Sequence, residues 1–464
     1  MSEVIKTTLA LEIVSAHFGS EIGSFAKFIT EKIVPVSIHE VLSSSEFSKE
    51  FSISSMGTLF QHNLLRIHEK QEARKIEFSS IRAIFRLLFP WFLQVFEHHY
   101  GKLGAEIATL FMTQGRMSEM GFRAQLTSAS HSRSDEWKKS MYDAFRSIIE
   151  AEKPFIVSVV AASPWDAIKD DADPAILPED GPASKRPKSD NHIDQIASKD
   201  LVYTIDITQI LFHLRSSELL SYLKAKFTDD LVPEIHKALL QHDHPEITEV
   251  ESASRFRPFK QITTPLSVAA LSNALEKGNV KIEILLSSLD LEVSGGYMKK
   301  VPGADAEAAM YSLQTGMIIN EVREELVFKA LSSRFGLEGV RIFRLLLRHQ
   351  CADEMTISDA CKISPESARS CLFELQSMGF AQAQCISGSP KDVFLWSPNV
   401  TTALDQLLFG VLKTLRILFS RLHSILDKTD EVACGVSSQT DEADRRLAHA
   451  INEAAVMFLR LDVF

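Results

Sequence analysis

The chain has 464 residues, 45% hydrophobic and 24% charged, the balance of a folded globular protein, which excludes global disorder and a collagen-like or mucin-like polymer. That length suggests about three or four units of ~100 residues each rather than one compact domain. Sixty-one acidic residues against fifty basic ones give a net charge of -11, which argues against coating nucleic acid by charge alone, so any DNA contact must be local.

The amino-terminal run MSEVIKTTLALEIV sets Glu3 and Glu12 around a short apolar stretch without a small-residue cleavage site, which disfavours a signal peptide. No apolar stretch approaches the ~20 residues of a membrane span, so a soluble intracellular protein with no membrane partner is expected. In the first unit, residues 1–78, LALEIVSAHFGSEIGSFAKFITE has helical spacing punctuated by Gly19 and Gly23, which predicts two helices. A short segment around Ile38 to Leu42 follows, then a helix from Ser54 to Leu65. The alternating runs Leu65 to Lys70 and Arg74 to Phe78 complete a β-hairpin. Helix, helix, turn, helix and two-stranded wing is the order of a winged helix.

Residues 79–160 are expected to form a second such unit, from a helix-rich stretch Ser79 to Phe111, a helical run Trp137 to Ile149 and a strand Phe155 to Val160. Residues 161–200, dense in Asp, Pro and Ser, read as a flexible acidic linker. Its Lys185-Arg186-Pro187-Lys188 tract could serve as a nuclear import signal, but four residues are weak evidence and a chance cluster in a charged linker is the more frequent origin of such a tract. A third unit, 201–303, has a short helix from Pro265 running on to Leu275, a turn Glu276 to Asn279, and a helix starting at Val280. Leu291 to Ser294, a Gly295-Gly296 turn and a strand to Lys300 then read as its wing. A fourth unit, 322–398, is predicted from helices Glu325 to Leu331 and Val340 to Leu347, a helix starting at Met355, and a second from Ala368 to Met378. Ser364-Pro365-Glu366 caps that last helix, Gly379 ends it, and Cys385-Ile386 with Val393 to Trp396 makes a wing. In 401–464, Leu404, Leu408, Val411, Leu415, Leu418, Leu422 and Ile425 follow a heptad, repeated by Leu447, Ile451, Ala454, Phe458 and Leu461, which predicts an antiparallel helical hairpin or coiled coil. The fold class is thus mainly α with small β wings: tandem winged helices and a carboxy-terminal hairpin.

Chemistry-bearing motifs are missing: there is no GxxxxGK[ST], GxSxG or HExxH, and no GxGxxG after a strand. No catalytic residue, cofactor, metal or small-molecule substrate is expected. His98-His99 and His242-Asp243-His244 suit solvated or structural roles, since adjacent helical side chains diverge by about 100°. Cys351, Cys361 and Cys371 recur every ten residues, which is not a zinc-module spacing, and Cys361 and Cys371 fall at apolar helix positions, so core thiols are expected rather than a metal site. With Cys385 and Cys434 they make five, with no CxxC, which favours reduced thiols.

Base reading in the major groove needs Arg, Lys, Asn or Gln on the third helix of each unit. The helix Met56 to Leu65 has no lysine or arginine, and Ala368 to Met378 has only Arg369 against Glu374. Candidate nucleic-acid contacts are therefore wing cations facing phosphates: Arg66, Lys70, Arg74 and Lys75, with His68 among them, and Lys299 and Lys300. The first set also suits a solvated hairpin, since Glu69, Glu72 and Glu77 interleave. Candidate partner-docking residues are the heptad Leu404, Leu408, Val411, Leu415, Leu418, Leu422 and Ile425; Phe409, Ile417 and Phe419 add apolar surface beyond a two-helix seam.

His17-Phe18-Gly19, Gln61-His62-Asn63-Leu64, and Arg334-Phe335-Gly336 followed by Arg341-Ile342-Phe343-Arg344-Leu345, together with the order of units, resemble the winged-helix subunit three family of DNA-directed RNA polymerase III, a relative of TFIIE alpha. The resemblance covers nearly the whole chain and weakens between residues 112 and 200. It implies four extended winged helices and a coiled coil in a non-catalytic nuclear subunit. That subunit docks on the polymerase III core with the other two members of an initiation heterotrimer, touches promoter DNA through phosphates, and supports initiation and promoter opening on small-RNA genes. A free-standing DNA-binding regulator would need basic third helices; a scaffold subunit of a lid-type or cullin-type complex would carry a single winged helix.

Overall fold

The computed structural model describes residues 2–32, 35–70, 73–128, 134–151, 154–159, 201–227, 231–243, 261–275, 282–302, 309–387, 393–431 and 438–463. The expected linker, its Lys185 to Lys188 tract and the Glu276 to Asn279 turn lie outside them. The chain is mostly helical, with four small three-stranded antiparallel sheets among the described residues.

Helices α1 (Ser2–Phe18) and α2 (Ser20–Glu31) part at Gly19, whose φ of 96° suits glycine. Gly23 ends nothing: a Cβ there would lie 1.9 Å from Ser15 Oγ, so it lets α2 approach α1. Strand β1 (Val36–Ser37) and α3 (Ile38–Leu42) lead to α4 (Lys49–Gln61). This helix starts earlier than the sequence predicts, behind Ser48, whose Oγ accepts from Phe51 N at 3.2 Å. It also stops earlier, because Asn63 is left-handed with φ 60°. The hairpin β2 (Leu65–Lys70) and β3 (Ala73–Phe78) follows as expected, and β3 also pairs with β1. Alternation turns Ile76 and Phe78 inward, at 0% and 3% exposure.

The second unit runs through α5 (Ser80–Ile84), a 3-10 turn (Phe85–Leu88), α6 (Phe89–Gln114, broken at Gly101), β4 (Met117–Ser118), α7 (Glu119–Ser128), α8 (Asp135–Ile149), β5 (Ile156–Val159) and β6 (Val202–Ile205). Here a boundary is corrected. The sequence assigns residues 201–205 to the third unit, but β6 pairs with β5 from Ile156↔Ile205 to Val159↔Val202, so both ends of the 160–200 stretch belong to one sheet.

The third unit comprises α9 (Ile207–Lys226), α10 (Leu231–His242), β7 (Leu266–Ser267), α11 (Val268–Ala274), α12 (Ile282–Ser294), β8 (Met298–Val301) and β9 (Met310–Leu313). A second correction falls here. Leu291 to Ser294, read as a strand, is the last turn of α12, where helical spacing puts Leu285, Leu289 and Glu292 on one buried face. Gly295-Gly296 terminates that helix instead of turning a hairpin: Gly296 has φ 82°, and Tyr297 N donates to Glu292 O at 3.0 Å. The true hairpin is β8 with β9, so the sheet extends to Leu313, past residue 303.

The fourth unit opens at Thr315 with α13 (Thr315–His349), bent at Gly336 where φ is 62°. Strand β10 (Ala352–Asp353), α14 (Glu354–Cys361), α15 (Pro365–Ser377), β11 (Ala381–Ile386) and β12 (Val393–Pro398) complete it. Ser364 Oγ accepts from Ser367 N at 3.1 Å, and Gly379 has φ 76°, as the cap and stop signals predict. All four sheets share one topology, the short strand beside the last and the last beside the middle: β1-β3-β2, β4-β6-β5, β7-β9-β8 and β10-β12-β11.

Helices α16 (Val400–Glu431) and α17 (Ser438–Phe458) pack together and end in a π turn, Leu459–Val463. Their apolar faces join one continuous core with the first and second units, whereas the third and fourth units have their own cores. Lys6, 1% exposed on α1, reaches Asp462 at 2.8 Å, and Glu12 meets Arg416 at 2.6 Å, so the two chain ends lock together. No described helix is long and apolar enough to cross a membrane.

Candidate nucleic-acid interface

On the first hairpin the wing cations are not equivalent. Arg66, opposite Glu77 in the β2–β3 register, is half-buried. Burial pushes its guanidinium below the usual value, against the pull of Glu77. Arg82 and Arg116 crowd the same region. His68 Nε2 lies 2.8 Å from Glu77 Oε2. Lys75 is partly exposed; the side chains of Lys70 and Arg74 lie outside the described residues. On β8, Lys299 is exposed, while Lys300 pairs with Asp290 at 2.8 Å and sits 5.4 Å from the Tyr311 ring. Arg66 is thus turned toward the protein and Lys300 is engaged, so among the described side chains Lys75 and Lys299 are the wing cations best placed for a phosphate.

The third helices extend the sequence reading. Arg369 on α15 is tied to Glu354 at 2.7 Å, and α12 contains no Lys or Arg. The earlier start of α4 adds the exposed Lys49 to its first turn, and the most basic third helix is α8, missed because its unit was the least regular in sequence. It carries Lys138, Lys139 and Arg146. Lys138 binds Asp135 at 2.7 Å, Arg146 Nε donates to Tyr142 Oη at 3.2 Å, and Lys139 is exposed. Tyr142 also hydrogen-bonds Glu119, which holds that carboxyl below its usual range.

In the third and fourth units this face is apolar. Ile284 and Leu291 on α12 are 52% and 69% exposed, with Val301 and Met310 on the neighbouring hairpin. Phe373 on α15 is 57% exposed and edge-on to Trp396 at 5.5 Å, and Met355, Ile386, Val393 and Phe394 of the same unit are exposed as well. Large apolar side chains exposed in this number suit protein contact.

The expected docking heptad lies elsewhere. Leu408 and Leu415 are 6% and 0% exposed, and Leu404, Val411, Leu418 and Leu422 pack on the same core with the first two units. Ile425 is partly exposed and falls outside that cluster. These residues are occupied within the chain: the heptad packs on α17, as the expected hairpin would, and also on α1.

The residues that carry the family resemblance are joints. Asn63 Nδ2 donates to Thr204 Oγ1 at 2.8 Å, and Arg116 Nε to Asn63 Oδ1 at 2.6 Å, tying the end of α4 to the second sheet. Gly115 is required there, since a Cβ would come 2.3 Å from Gln61 O. His17 Nδ1 accepts from Arg86 Nε at 2.8 Å, and Arg86 lies over Phe18 at 4.8 Å. Burial, then Arg86, lowers both His17 and His62 to about 4. Phe335-Gly336 makes the bend in α13, with Ile342 and Phe343 in the core beneath.

The chain is 25% identical over 272 residues to DNA-directed RNA polymerase III subunit RPC3 of Homo sapiens, covering 55% of this chain and 49% of that protein. The corresponding subunit of Rattus norvegicus is 23% identical over 246 residues, 52% and 44% of the two chains. That of Dictyostelium discoideum is 22% identical over 151 residues, 32% and 23%. The resemblance to the subunit-three family is borne out over about half of the chain, less than the nearly whole-chain extent expected from sequence. The chain spans about half the length of the first curated relatives it matches. No family model matches it.

Proposed function

We propose that this chain is a non-catalytic, nuclear subunit of DNA-directed RNA polymerase III, built of four winged helices with a carboxy-terminal coiled coil. It docks on the core enzyme with the two other members of an initiation heterotrimer and supports promoter opening on small-RNA genes. The observation that carries this is the similarity to polymerase III subunit RPC3, supported by a helix-and-sheet unit repeated with one strand order. Docking runs through the apolar faces of the third and fourth units, around Leu291 and Phe373. DNA is met by phosphate contacts from Lys75, Lys139 and Lys299, a weak term that the polymerase supplements. The paired Arg369 and the cation-free α12 weigh against a free-standing regulator, and four like sheets against a scaffold with one winged helix.

The test is immunodepletion of the chain from nuclear extract, followed by transcription of a small-RNA gene. Loss of specific initiation restored by the purified chain and its co-depleted partners, with factor-independent RNA synthesis intact, supports the proposal. Unchanged specific initiation after complete depletion overturns it.

A further inference from the structure

In the sheet β10-β12-β11 of the fourth unit, β11 pairs only with β12 among the described strands, so its other side is a sheet edge. Edge strands invite pairing with another chain, and charged side chains or proline ordinarily prevent it. The longer edges of the other three sheets are guarded or short. Strand β2 carries Arg66, Glu69 and Lys70, β8 carries Lys299 and Lys300, and β5 has only four residues. Strand β11 runs for six, Ala381-Gln382-Ala383-Gln384-Cys385-Ile386, with no charge and no proline.

One hydrogen bond sets the direction of its backbone groups. Asn399 N donates to Phe380 O at 2.9 Å, one step beyond the Ala381↔Pro398 pair. Bonded and non-bonded pairs alternate along an antiparallel ladder. Gln382, Gln384 and Ile386 therefore bond to β12, while the N–H and C=O groups of Ala381, Ala383 and Cys385 face away from it. Pro398, which has no N–H to give, falls at a non-bonded pair, as this assignment requires. Ala381 is buried, but Ala383 is partly exposed and Cys385 is exposed. Their two N–H and two C=O groups, at strand spacing, match the backbone of an incoming extended segment. We propose that β11 is a strand-addition site, which takes an extended segment of a partner protein, apolar at alternate positions, as a fourth strand of this sheet.

The side chains around the strand fit such an occupant. Alternation puts Ala383 and Cys385 on the same face as their cross-strand neighbours Trp396 and Phe394. Phe394 is exposed there, as is Phe373, which stands edge-on to Trp396, so apolar side chains of an added strand meet aromatic surface. On the opposite face the exposed pair Ile386 and Val393 continues the apolar character. A second copy of this chain fits less well. Antiparallel pairing about Ala383 sets alanine against alanine and Ala381 against Cys385, with no large side chain to reach Phe394 or Phe373. It also brings together two molecules that each carry a net charge of -11. A polymerase component as the partner rests on the function proposed above; the strand-addition site does not.

The test pans a random dodecapeptide phage library on the purified full chain, then measures binding of the enriched sequences, as synthetic peptides, to the parent, Ala383→Pro and Cys385→Lys. Ala383→Pro deletes one outward N–H and no ladder bond to β12, a place where an edge strand tolerates proline. Cys385→Lys uses an exposed side chain to put a charge on the edge, as guarded edges do. The expected peptides have apolar residues at every second position and slow amide exchange over 381–386 when bound. Either change should weaken them by about tenfold, the loss of a backbone hydrogen bond. Should Ala383→Pro unsettle the fold, seen as faster exchange over 365–377, Cys385→Lys decides alone. Failure to enrich any peptide, or peptides that bind both variants like the parent, overturns the inference. So does sedimentation in which the chain pairs with itself and Ala383→Pro separates the copies. Because no polymerase is present, a negative result here leaves the polymerase assignment standing, and failed polymerase capture leaves this site standing.

Discussion

In the core of the third unit, His236 on α10 and Glu292 on α12 are 0% and 3% exposed, with His236 Nε2 3.3 Å from Glu292 Oε2. Neither ring nitrogen of His236 nor that carboxyl oxygen has a well-formed hydrogen bond among the described residues. The contact between them is the main compensation for burying both. Replacing His236 by Leu strands the carboxyl group in an apolar core, a loss of about 3–5 kcal/mol by analogy with broken buried pairs. At about 1.4 kcal/mol per tenfold, protection in that unit falls by at least about a hundredfold. Replacing both by Leu removes the stranded group and returns protection to within about tenfold of the parent, since apolar replacement of a buried pair is often neutral or better. Amide exchange read by mass spectrometry over 231–242 and 282–294 isolates this unit from a multi-unit chain whose unfolding is not one transition. If the double variant loses as much protection as His236→Leu, the two side chains are not coupled and the reasoning fails.

Four further outcomes follow. Because folding lowers His17 and His62 from 6.5 to about 4, the unfolded chain takes up these protons first. Stability is therefore full above about pH 6.5 and drops as pH falls from there toward 4; thermal melting across that range should show the decline, and His17→Leu with His62→Leu should flatten it. Gly115→Ala combines a φ of 77° with a contact 2.3 Å from Gln61 O, whereas Gly101→Ala, with φ 69°, meets open space. Gly115→Ala should thus depress the melting temperature more, since both incur the ~1–3 kcal/mol backbone penalty and only one adds a clash. Leu415→Ala, from 0% exposure, should cost about 2–5 kcal/mol, while Arg416→Ala, losing a partly exposed pair with Glu12, should stay within about 1 kcal/mol; equal effects in denaturation would contradict the packing described. Lys299→Ala should reduce the slope of DNA affinity against salt by about one contact, and Lys300→Ala by less, because Asp290 already holds Lys300.

Many of the helices, the Ser364 cap and two of the hairpins could be read from sequence because their signals are local, whereas α7, α9 and α10 were not read. Ser364-Pro365, Gly379 and the alternation through Leu65 to Phe78 each depend on neighbours a few residues away. What failed depended on distance or on ambiguity. The pairing of β5 with β6 spans a long insertion, and the two-residue strands β1, β4, β7 and β10 carry no periodicity at all. Leu291-Glu292-Val293-Ser294 alternates like a strand while also fitting a helix, and only the burial of Glu292 against His236 decides the matter. The heptad from Leu404 shows that an apolar face needs cover, but not that α1 supplies much of it. Of the proposed phosphate contacts with described side chains, Lys75 and Lys299 are accessible and Arg66 and Lys300 are engaged, and Lys139 emerges only when α8 is seen as a third helix.

The most direct measurement is affinity purification of the tagged full chain from nuclear extract, with Phe373→Asp as the comparison, since Phe373 is exposed and its change should leave the fold intact. The account predicts that the large subunits of RNA polymerase III co-purify with the parent and are diminished with the variant. No polymerase subunit recovered with the parent at mild salt would contradict it.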